Sequence, residues 1–544
     1  MKTKVDYLPL VHAMEYLVNY ARSLKVKREN PEGDLQTYSI SDIRICYLEH
    51  QNYSQSCLNG MSADQQTTGP ISEMLITLYY NNSKKIVHFP FPVNSLFLQY
   101  PETMISLLIP HLTIAVDCLI QDFYASCTED NKYHCYDSSD AVVQLEDAAF
   151  TIKPLGKVQK KQRIAFEQLV SECYTSQEVL MVSGDIQNSR KLWIVVDSFG
   201  RRIIEYQDIF HLYLELTLLN EQKHLFVDRF SRMYTSIDAL LSDFPQTRAY
   251  CQGLLSSLQR QQLKSDIYPL ILSSSAVGTL FHEALAGHML SGLYIADEVS
   301  MVFKDKIGSS IVKEGFMDVL KQLEIWDVPS DSSMIAHYRY DMEGTPAQDV
   351  CLIEYGEVRN YLLDRNSAAW LRMPNNGRAL AGGFCSSKAY LDGFIDRAVE
   401  PEPRVSNLKI LSKSELELQD LEQFYFEKYG YYLWVESYDG EVDVTTGTFN
   451  LYVNAITKVY ADGHKEYFYG GKLSANLVDF LSAISLVTKS YGRSQGYCGS
   501  SSGSVPTEEY APIMAAYGLN WVPNPLPQKM HILDIHRDKY LSKQ

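Results

Sequence analysis

The chain has 544 residues, of which 46% are hydrophobic and 21% are charged, and its formal net charge is −17. This length predicts two or three domains, and this composition excludes a disordered protein. The strong negative charge disfavours nucleic acid and anionic membrane surfaces as partners.

Two further features of the composition concern the cellular compartment. No stretch of about 18 uninterrupted apolar residues is found, and the amino terminus lacks the apolar core of a signal peptide, so we predict no membrane span. The 10 cysteines are scattered along the chain without a C-x-x-C pair. This pattern is typical of a reducing compartment, and we predict a cytoplasmic protein.

The part of the chain up to residue 264 is predicted to be a mixed α/β region of one or two subdomains. Apolar residues at helical spacing predict helices, and apolar residues that alternate with polar ones predict strands. The predicted helices are 8–24, 95–124, 157–174, 222–240 and 249–263, with Pro101 and Pro110 expected to interrupt the second. The predicted strands are 40–49, 73–80, 86–89, 178–183, 192–197 and 212–218. No catalytic constellation stands out in this region.

Residues 265–544 are predicted to form a second domain, in which antiparallel strands dominate and helices flank them. A short apolar strand at 267–272 is followed by predicted hairpins at 350–362 and 448–469. A helix is predicted at 473–487, and a Gly/Ser-rich loop at 496–506. The predicted fold class of the whole chain is therefore α+β.

The segment 273–290, SSSAVGTLFHEALAGHML, carries the most informative chemistry. His282, Glu283 and His288 lie in an otherwise apolar stretch, and they are the residue types of a hydrolytic zinc site: nitrogen ligands and a carboxylate that takes a proton from water. At about 100° per residue, a step of six residues leaves the two histidines about 120° apart on a straight helix. We therefore predict a helix that begins with Ser274 or Ser275 as its N-cap, carries His282 and Glu283, and breaks at Gly287, because glycine permits a left-handed helix end. A buried helix with hydrogen-bonded histidines is the alternative.

A catalytic zinc usually has three protein ligands, and the chemistry alone leaves the third one open. Two cysteines with small neighbours stand out, Cys385 in GGFCSSKA and Cys498 in GYCGSSSG. Either could equally be a structural cysteine.

Several motifs in the same order resemble the TldD/PmbA peptidases over roughly residues 268–525. The metal-motif segment resembles the one that carries the family's H-E-x-x-x-H, and YCGSSSGSVP resembles its C-G-K-x-G-Q-x-x-P loop. MEGTPAQDV, NNGRA, PRVSN and GEVDVTTGTFNL are similar to further family elements.

This resemblance implies a zinc peptidase, with another divalent transition metal as the alternative ion. Carried over residue by residue, His282, His288 and Cys498 would be the metal ligands and Glu283 the general base. Arg404, by its charge and its family position, is a candidate for a substrate or oxyanion contact, with a structural salt bridge as the alternative. The resemblance further implies peptide or unfolded-protein substrates and a homodimer or a heterodimer with a paralogous subunit.

The motif departs from the family at one point, since four residues separate Glu283 from His288 where the family has three. The extra residue is either absorbed as a bulge or displaces His288. The second outcome would give a catalytically inactive subunit that binds peptide or a paralogous partner. The residues also allow a thiol hydrolase with Cys498 as nucleophile, or a protein without catalytic chemistry.

Overall fold

The computed structural model describes residues 4–29, 33–80, 83–91, 100–125, 143–174, 176–221, 223–312, 317–384 and 399–526. The α-helices are α1 (Leu8–Ser23), α2 (Pro101–Ala125), α3 (Lys160–Cys173), α4 (Ile237–Ser242), α5 (Phe244–Ser256), α6 (Ser274–Phe281), α7 (Gly292–Ala296), α8 (Arg365–Leu371), α9 (Leu418–Tyr429) and α10 (Leu477–Ala483). The strands of the first half are β1 (Val5–Asp6), β2 (Val26–Glu29), β3 (Leu35–Tyr38), β4 (Asp42–Leu58), β5 (Met61–Tyr80), β6 (Ser83–Phe91), β7 (Thr151–Ile152), β8 (Val179–Asp197), β9 (Arg202–Leu219), β10 (Leu225–Tyr234) and β11 (Arg260–Gln261). Those of the second half are β12 (Leu270–Leu272), β13 (Leu323–Asp327), β14 (Val350–Glu354), β15 (Glu357–Val358), β16 (Ala379–Leu380), β17 (Glu402–Pro403), β18 (Asn407–Ser412), β19 (Tyr431–Asp443), β20 (Thr448–Tyr460), β21 (Lys465–Asn476), β22 (Ile484–Ser500), β23 (Gly503–Ala516) and β24 (Asn520–Pro523).

Six strands of the first half form one sheet, in the spatial order β10-β9-β8-β4-β5-β6. Every neighbouring pair in this sheet is antiparallel. Successive side chains of a strand point to opposite faces, so one face can be apolar. Along β9, for example, the alternate residues Leu212, Leu214, Leu216 and Leu218 are fully buried.

The helices of the first half cover this sheet and form two apolar cores with it. Helices α1 and α2 pack against each other and share a core with β4, β5 and β8. Helices α3 and α5 pack over the other end of β8 and β9 and share a second core there.

Helix α2 runs from Pro101 to Ala125 without a break, so the predicted interruption at Pro110 is wrong. Pro101 is tolerated because the first residue of a helix has no intrahelical partner for its N–H group. Buried residues four apart, such as Met104, Leu108 and Leu112, fix the helix to the core on both sides of Pro110. In the described part of the chain, Pro101–Asp122 is also the one helical stretch long and apolar enough for a bilayer, and 39% of its apolar 18-residue window is buried inside the fold.

The predicted helix at 222–240 is also wrong, because most of it is the edge strand β10, followed by the short helix α4. Its register against β9 is continuous from Leu225↔Leu219 to Tyr234↔Phe210. The two strands predicted at 178–183 and 192–197 are parts of the single strand β8.

The second half is built on a sheet of 12 strands with the order β11-β21-β20-β19-β12-β23-β18-β13-β14-β15, to which β22 is added beside β23 and β24 beside β21. Three pairs are parallel, β11 with β21, β12 with β19 and β18 with β23. The other described pairs are antiparallel. The predicted α+β class, with mainly antiparallel pairing in this half, is confirmed.

Two predicted elements of the second half differ from the structure. The predicted helix at 473–487 is reduced to α10, because its first residues end β21 and its last ones begin β22. The Gly/Ser-rich loop is a hairpin of β22 and β23, and Cys498 lies within β22 opposite Val505. Pairing with β23 along its whole length holds a sequence of low strand propensity in the extended conformation.

The two halves share the largest apolar core, which contains Cys46, Trp193 and Val195 of the first sheet. The indole Nε1 of Trp193 donates to the carbonyl oxygens of Tyr340 and Asp341, at 3.1 and 3.2 Å. The domain division at residue 264 stays a prediction, since the packing is continuous across it.

Candidate metal centre

The metal-motif segment begins as a regular helix directly after the buried strand β12. Ser273 is its N-cap, one residue before the predicted start, and its side chain accepts a hydrogen bond from the N–H of Ala276 at 3.3 Å. Helix α6 packs against β19, β22 and β23, and five of its eight residues are buried. The segment is therefore a core element, as its apolar composition predicts.

The helix widens into a single π-turn at His282–Ala286, where the motif begins. The N–H of Gly287 donates to the carbonyl oxygen of His282 at 2.8 Å, and the N–H of Leu290 donates to that of Leu285 at 3.0 Å. A turn closed by such i→i+5 bonds contains one residue more than an α-helical turn, and these turns are frequent at functional sites. The π-turn thus accommodates the one residue by which this motif exceeds the family's pattern.

The helical segment ends at Ala286 with Gly287 as its C-cap, as predicted, but the predicted left-handed conformation of Gly287 is wrong. Its φ of −69° and ψ of −32° are helical. A Cβ atom at this position would lie 2.9 Å from the carbonyl oxygen and 3.0 Å from Nε2 of His282. Glycine is needed here because it leaves room for the imidazole of His282.

Three predicted ligands meet at one point in the core. One ligand atom from each of His282, His288 and Cys498 lies within 4.8 Å of the other two. Sγ of Cys498 is 4.0 Å from Nε2 of His288, and the two imidazole rings are 6.2 Å apart between centroids. In the described ranges this is the only group of three His, Cys, Asp or Glu side chains with such spacing. Cys385, the other candidate from the sequence, lies outside the described residues.

The donor set of these three residues fits a zinc ion. Two imidazole nitrogens and one thiolate are common zinc ligands, and three protein ligands leave a fourth position for water or substrate. His282 supplies a further indication: its Nε2 is buried and has no hydrogen-bond partner among the described residues. A buried polar atom without a partner is costly, and a bound metal ion would satisfy it.

Glu283 lies beside the three ligands. Its Oε2 is 3.1 Å from Nε2 of His288, and its Oε1 is 4.0 Å from Nε2 of His282. Gly440 of β19 makes room for this side chain, because a Cβ atom there would lie 2.8 Å from Cγ of Glu283. The predicted base and the predicted ligands are thus brought together by the fold.

The neighbouring charges at this site shift the pKa values of Cys498, His288 and Glu283. Burial raises the pKa of Cys498, but the neighbouring imidazoles and the guanidinium of Arg404 outweigh burial and hold this pKa well below its usual value. Burial lowers the pKa of His288, but Cys498 and Glu283 outweigh it and raise this pKa to about 9. Burial raises the pKa of Glu283, yet His288 and His282 bring it below its usual value. These shifts favour the thiolate of Cys498 and the carboxylate of Glu283, the forms needed for a ligand and for a base, whereas the raised pKa of His288 means that a metal ion would displace a proton from this imidazole.

Arg404 is buried behind the hairpin that carries Cys498. Its guanidinium donates to the carbonyl oxygens of Cys498 and Gly503 and to the hydroxyls of Ser500 and Ser502. Glu402, 3.5 Å from this guanidinium, also binds the hairpin turn. These contacts hold the hairpin in position, which is the structural alternative considered for Arg404. A contact of Arg404 with substrate or oxyanion stays a prediction.

A cavity of about 1070 Å³ opens beside the motif, and His282 and Glu283 are part of its wall. Both halves of the chain line it, since β10 forms one side and β19, β22 and β23 form the other. The sequence does not predict that β10 lines this cavity, because the segment is predicted to be a helix. Buried and exposed residues alternate along Phe226–Phe230 in the structure, but the buried set includes the charged Asp228 and the exposed set the apolar Val227, so the sequence carries no clear strand signal there.

The sequence of this region matches the model of the PmbA/TldA metallopeptidase C-terminal domain over residues 265–508. The chain is 27% identical over 245 residues to the Zinc metalloprotease TldD homolog of Saccharolobus solfataricus, covering 45% of this chain and 49% of that protein. It is 28% identical over 245 residues to Metalloprotease MJ0996 of Methanocaldococcus jannaschii, covering 44% of this chain and 47% of that protein. The chain thus spans about half the length of the curated relatives it matches.

The fold is similar to a solved structure over nearly the whole chain. TldE from Thermococcus kodakarensis superposes with a TM-score of 0.62 at 14% identity, covering 94% of this chain and 100% of that chain. At this identity the likeness concerns the fold alone, and it extends to the first half of the chain, which the family model does not match.

Proposed function

Since this chain belongs to the TldD/PmbA family of metallopeptidases, we propose that it is a zinc-dependent peptidase that hydrolyses peptides or unfolded polypeptides. The observation that carries the proposal is the convergence of His282, His288 and Cys498 in spite of the longer motif. The π-turn accounts for the extra residue, and this favours a catalytic subunit over an inactive one.

His282 and His288 would hold the metal through imidazole nitrogens, and Cys498 through its thiolate. A zinc ion in this position supplies Lewis acidity, which polarises a peptide carbonyl and lowers the pKa of water. Glu283 accepts the proton of the attacking water at a carboxylate oxygen and transfers it to the nitrogen of the leaving amine. The lowered pKa of Glu283 favours its ionised form, which is the form that can accept that proton.

The cavity supports a peptide as the substrate class. A volume of about 1070 Å³ can take several residues of an extended chain but not a folded domain. We propose that the protein works as a homodimer or with a paralogous subunit, because its fold is similar to that of TldE. A cytoplasmic location is part of the proposal, since the seven described cysteines are free thiols.

The first test is the metal content of the protein, purified without chelator or metal-binding tag and measured by elemental mass spectrometry. We expect about one zinc ion per chain in the wild type and its loss in His288→Ala and Cys498→Ser. Cys351→Ser is the matched control, because Cys351 lies on β14 outside the cluster. A folded wild-type protein without metal would contradict the proposal and favour the inactive subunit.

The second part of this test separates metal chemistry from thiol chemistry. Glu283→Gln should keep the metal and lose peptidase activity by a factor of about 100 or more, as is usual for a general base. Activity on an unstructured peptide should disappear with a chelator and return with zinc. Activity that survives the chelator but is lost on alkylation of Cys498 would favour the thiol hydrolase instead.

A further inference from the structure

Glu509 on β23 contacts the metal motif directly. Its Oε1 is 2.9 Å from Nδ1 of His282, and both side chains are buried. Glu509 lies next to Glu508 in sequence, but the two carboxylates have different partners. Glu508 accepts from the N–H of Ile335 and from the guanidinium of Arg493, on the other side of the strand.

The contact with Glu509 determines which nitrogen of His282 is available to a metal ion. With Nδ1 bound to the carboxylate, Nε2 is the nitrogen that faces the cluster, and it has no hydrogen-bond partner among the described residues. A ligand histidine commonly donates its other N–H to a carboxylate, which fixes the orientation of the ring and makes the ligand nitrogen more basic.

Glu509 is itself held in place by a cross-strand neighbour. Ser494 of β22 is its register partner, and the hydroxyl of Ser494 donates to Oε2 of Glu509 at 2.9 Å. Each carboxylate oxygen therefore has one partner, the imidazole on one side and the hydroxyl on the other.

Helix α6 leaves room for this pair at one position. A Cβ atom on Gly278 would lie 2.6 Å from Oγ of Ser494 and 2.8 Å from Cβ of Glu509. Any other residue at this position would push the helix away from β22 and β23. The close approach allows a carboxylate of the sheet to reach a histidine of the helix.

We propose that Glu509 is a positioning residue that orients His282 for metal binding, and that Ser494 fixes Glu509 in turn. This inference rests on the proposed function, because it concerns the same metal site. It adds a hydrogen-bonded chain, Ser494–Glu509–His282, that connects the sheet to the ligand. Glu509 itself does not bind the metal or the substrate in this account.

The test is zinc affinity, measured by competition with a chromophoric chelator on the full-length protein. Glu509→Gln should weaken zinc binding about 10-fold and Glu509→Ala up to about 100-fold, which is the usual range for partners of ligand histidines. Ser494→Ala should have a smaller effect in the same direction. In the cobalt-substituted protein, the visible absorption bands should shift in the Glu509 variants, because the orientation of His282 changes.

Glu49→Gln is the matched control, since Glu49 is a buried carboxylate that accepts hydrogen bonds from Tyr7 and Tyr47, outside the cluster. It should leave zinc affinity and the cobalt spectrum unchanged. Glu509 variants that fold and bind zinc as tightly as the wild type would overturn the inference alone. A wild-type protein that binds no zinc would instead overturn the proposed function.

Discussion

Gly287 illustrates how a single residue can decide whether this motif binds metal. Glycine is often explained by backbone flexibility, but Gly287 has ordinary helical angles. Its importance is the space it leaves, because His282 lies where a side chain would begin. A methyl group would push the ring that carries Nε2 away from the other two ligands.

We therefore expect Gly287→Ala to lower the zinc affinity of the protein, even though alanine is the better helix former. The control is Gly253→Ala in α5, where a Cβ atom would meet no other atom within 4 Å. That variant should keep its zinc and gain about 0.5–1 kcal/mol in the free energy of unfolding. Zinc titrations and urea unfolding of both variants give the comparison. Equal zinc affinity in the two variants would show that the space at Gly287 is not required.

At the scale of residues, the sequence indicates candidate site residues where they lie together in one segment. His282, Glu283 and His288 form one segment, and Cys498 follows from the family resemblance. Glu509 could not be found in this way, because its contact with His282 joins residues 227 positions apart. The contact depends on the register of β23 with β22 and on the distance between sheet and helix.

The π-turn is the element on which the site depends. A six-residue step on a straight α-helix would separate the two histidines by about 120°. The structure takes up the extra residue by widening one turn, while α6 before it stays regular, and His288 follows in the non-helical turn 287–290. The bulge that the sequence left open as one outcome is thus present as a π-turn, and the helix ends directly after it with Gly287 as its C-cap.

A deletion and an insertion at Ala286 should have opposite effects on zinc binding. Deletion of Ala286 restores the family's spacing, so we expect the turn to become α-helical and zinc binding to persist. Insertion of a second alanine after Ala286 exceeds what one π-turn can hold, and zinc binding should be lost. Circular dichroism and thermal unfolding establish that both proteins fold, and metal analysis then separates them. Persistence of zinc in the insertion variant would contradict the role of the π-turn.

Two segments outside the metal motif show why local sequence patterns do not always predict the secondary structure. The segment 222–240 has apolar residues at spacings that suit a helix as well as a strand, and pairing with β9 decides for the strand. The sequence predicts a loop in place of the hairpin of β22 and β23 for a related reason, since glycine has low strand propensity. In both cases tertiary pairing overrides the local preference, and both segments line the cavity.

At the scale of the molecule, buried charges connect the two halves. Arg44 of β4 forms an ion pair of 2.9 Å with Glu343, and the side chains are only 4% and 3% exposed. Glu343 also accepts from the N–H of Arg365 at 2.9 Å, directly after the buried Asp364. Such a network costs desolvation energy, and removal of one partner leaves the other charge buried without compensation.

Asp364 makes the contribution of this network to the free energy of unfolding depend on pH. Burial and the nearby charge of Glu343 raise the pKa of Asp364 to about 7. The unfolded chain releases this proton near pH 4, so the protonated group contributes stability that is lost as the pH rises through about 7. For this group alone, the loss between pH 5.5 and pH 8 is about 2 kcal/mol.

Asp364→Asn tests this contribution without removal of the local hydrogen bonds. Asp364 is the N-cap of α8 and accepts from the N–H of Ser367 at 2.8 Å, and asparagine is an equally good N-cap. Because the amide cannot ionise, the variant should gain stability relative to the wild type between pH 5.5 and pH 8, by up to about 2 kcal/mol. Urea unfolding at both pH values measures this difference. A difference that is the same at both pH values would mean that Asp364 is ionised in the folded protein throughout this range, and that the surrounding arginines and N–H groups compensate for its burial.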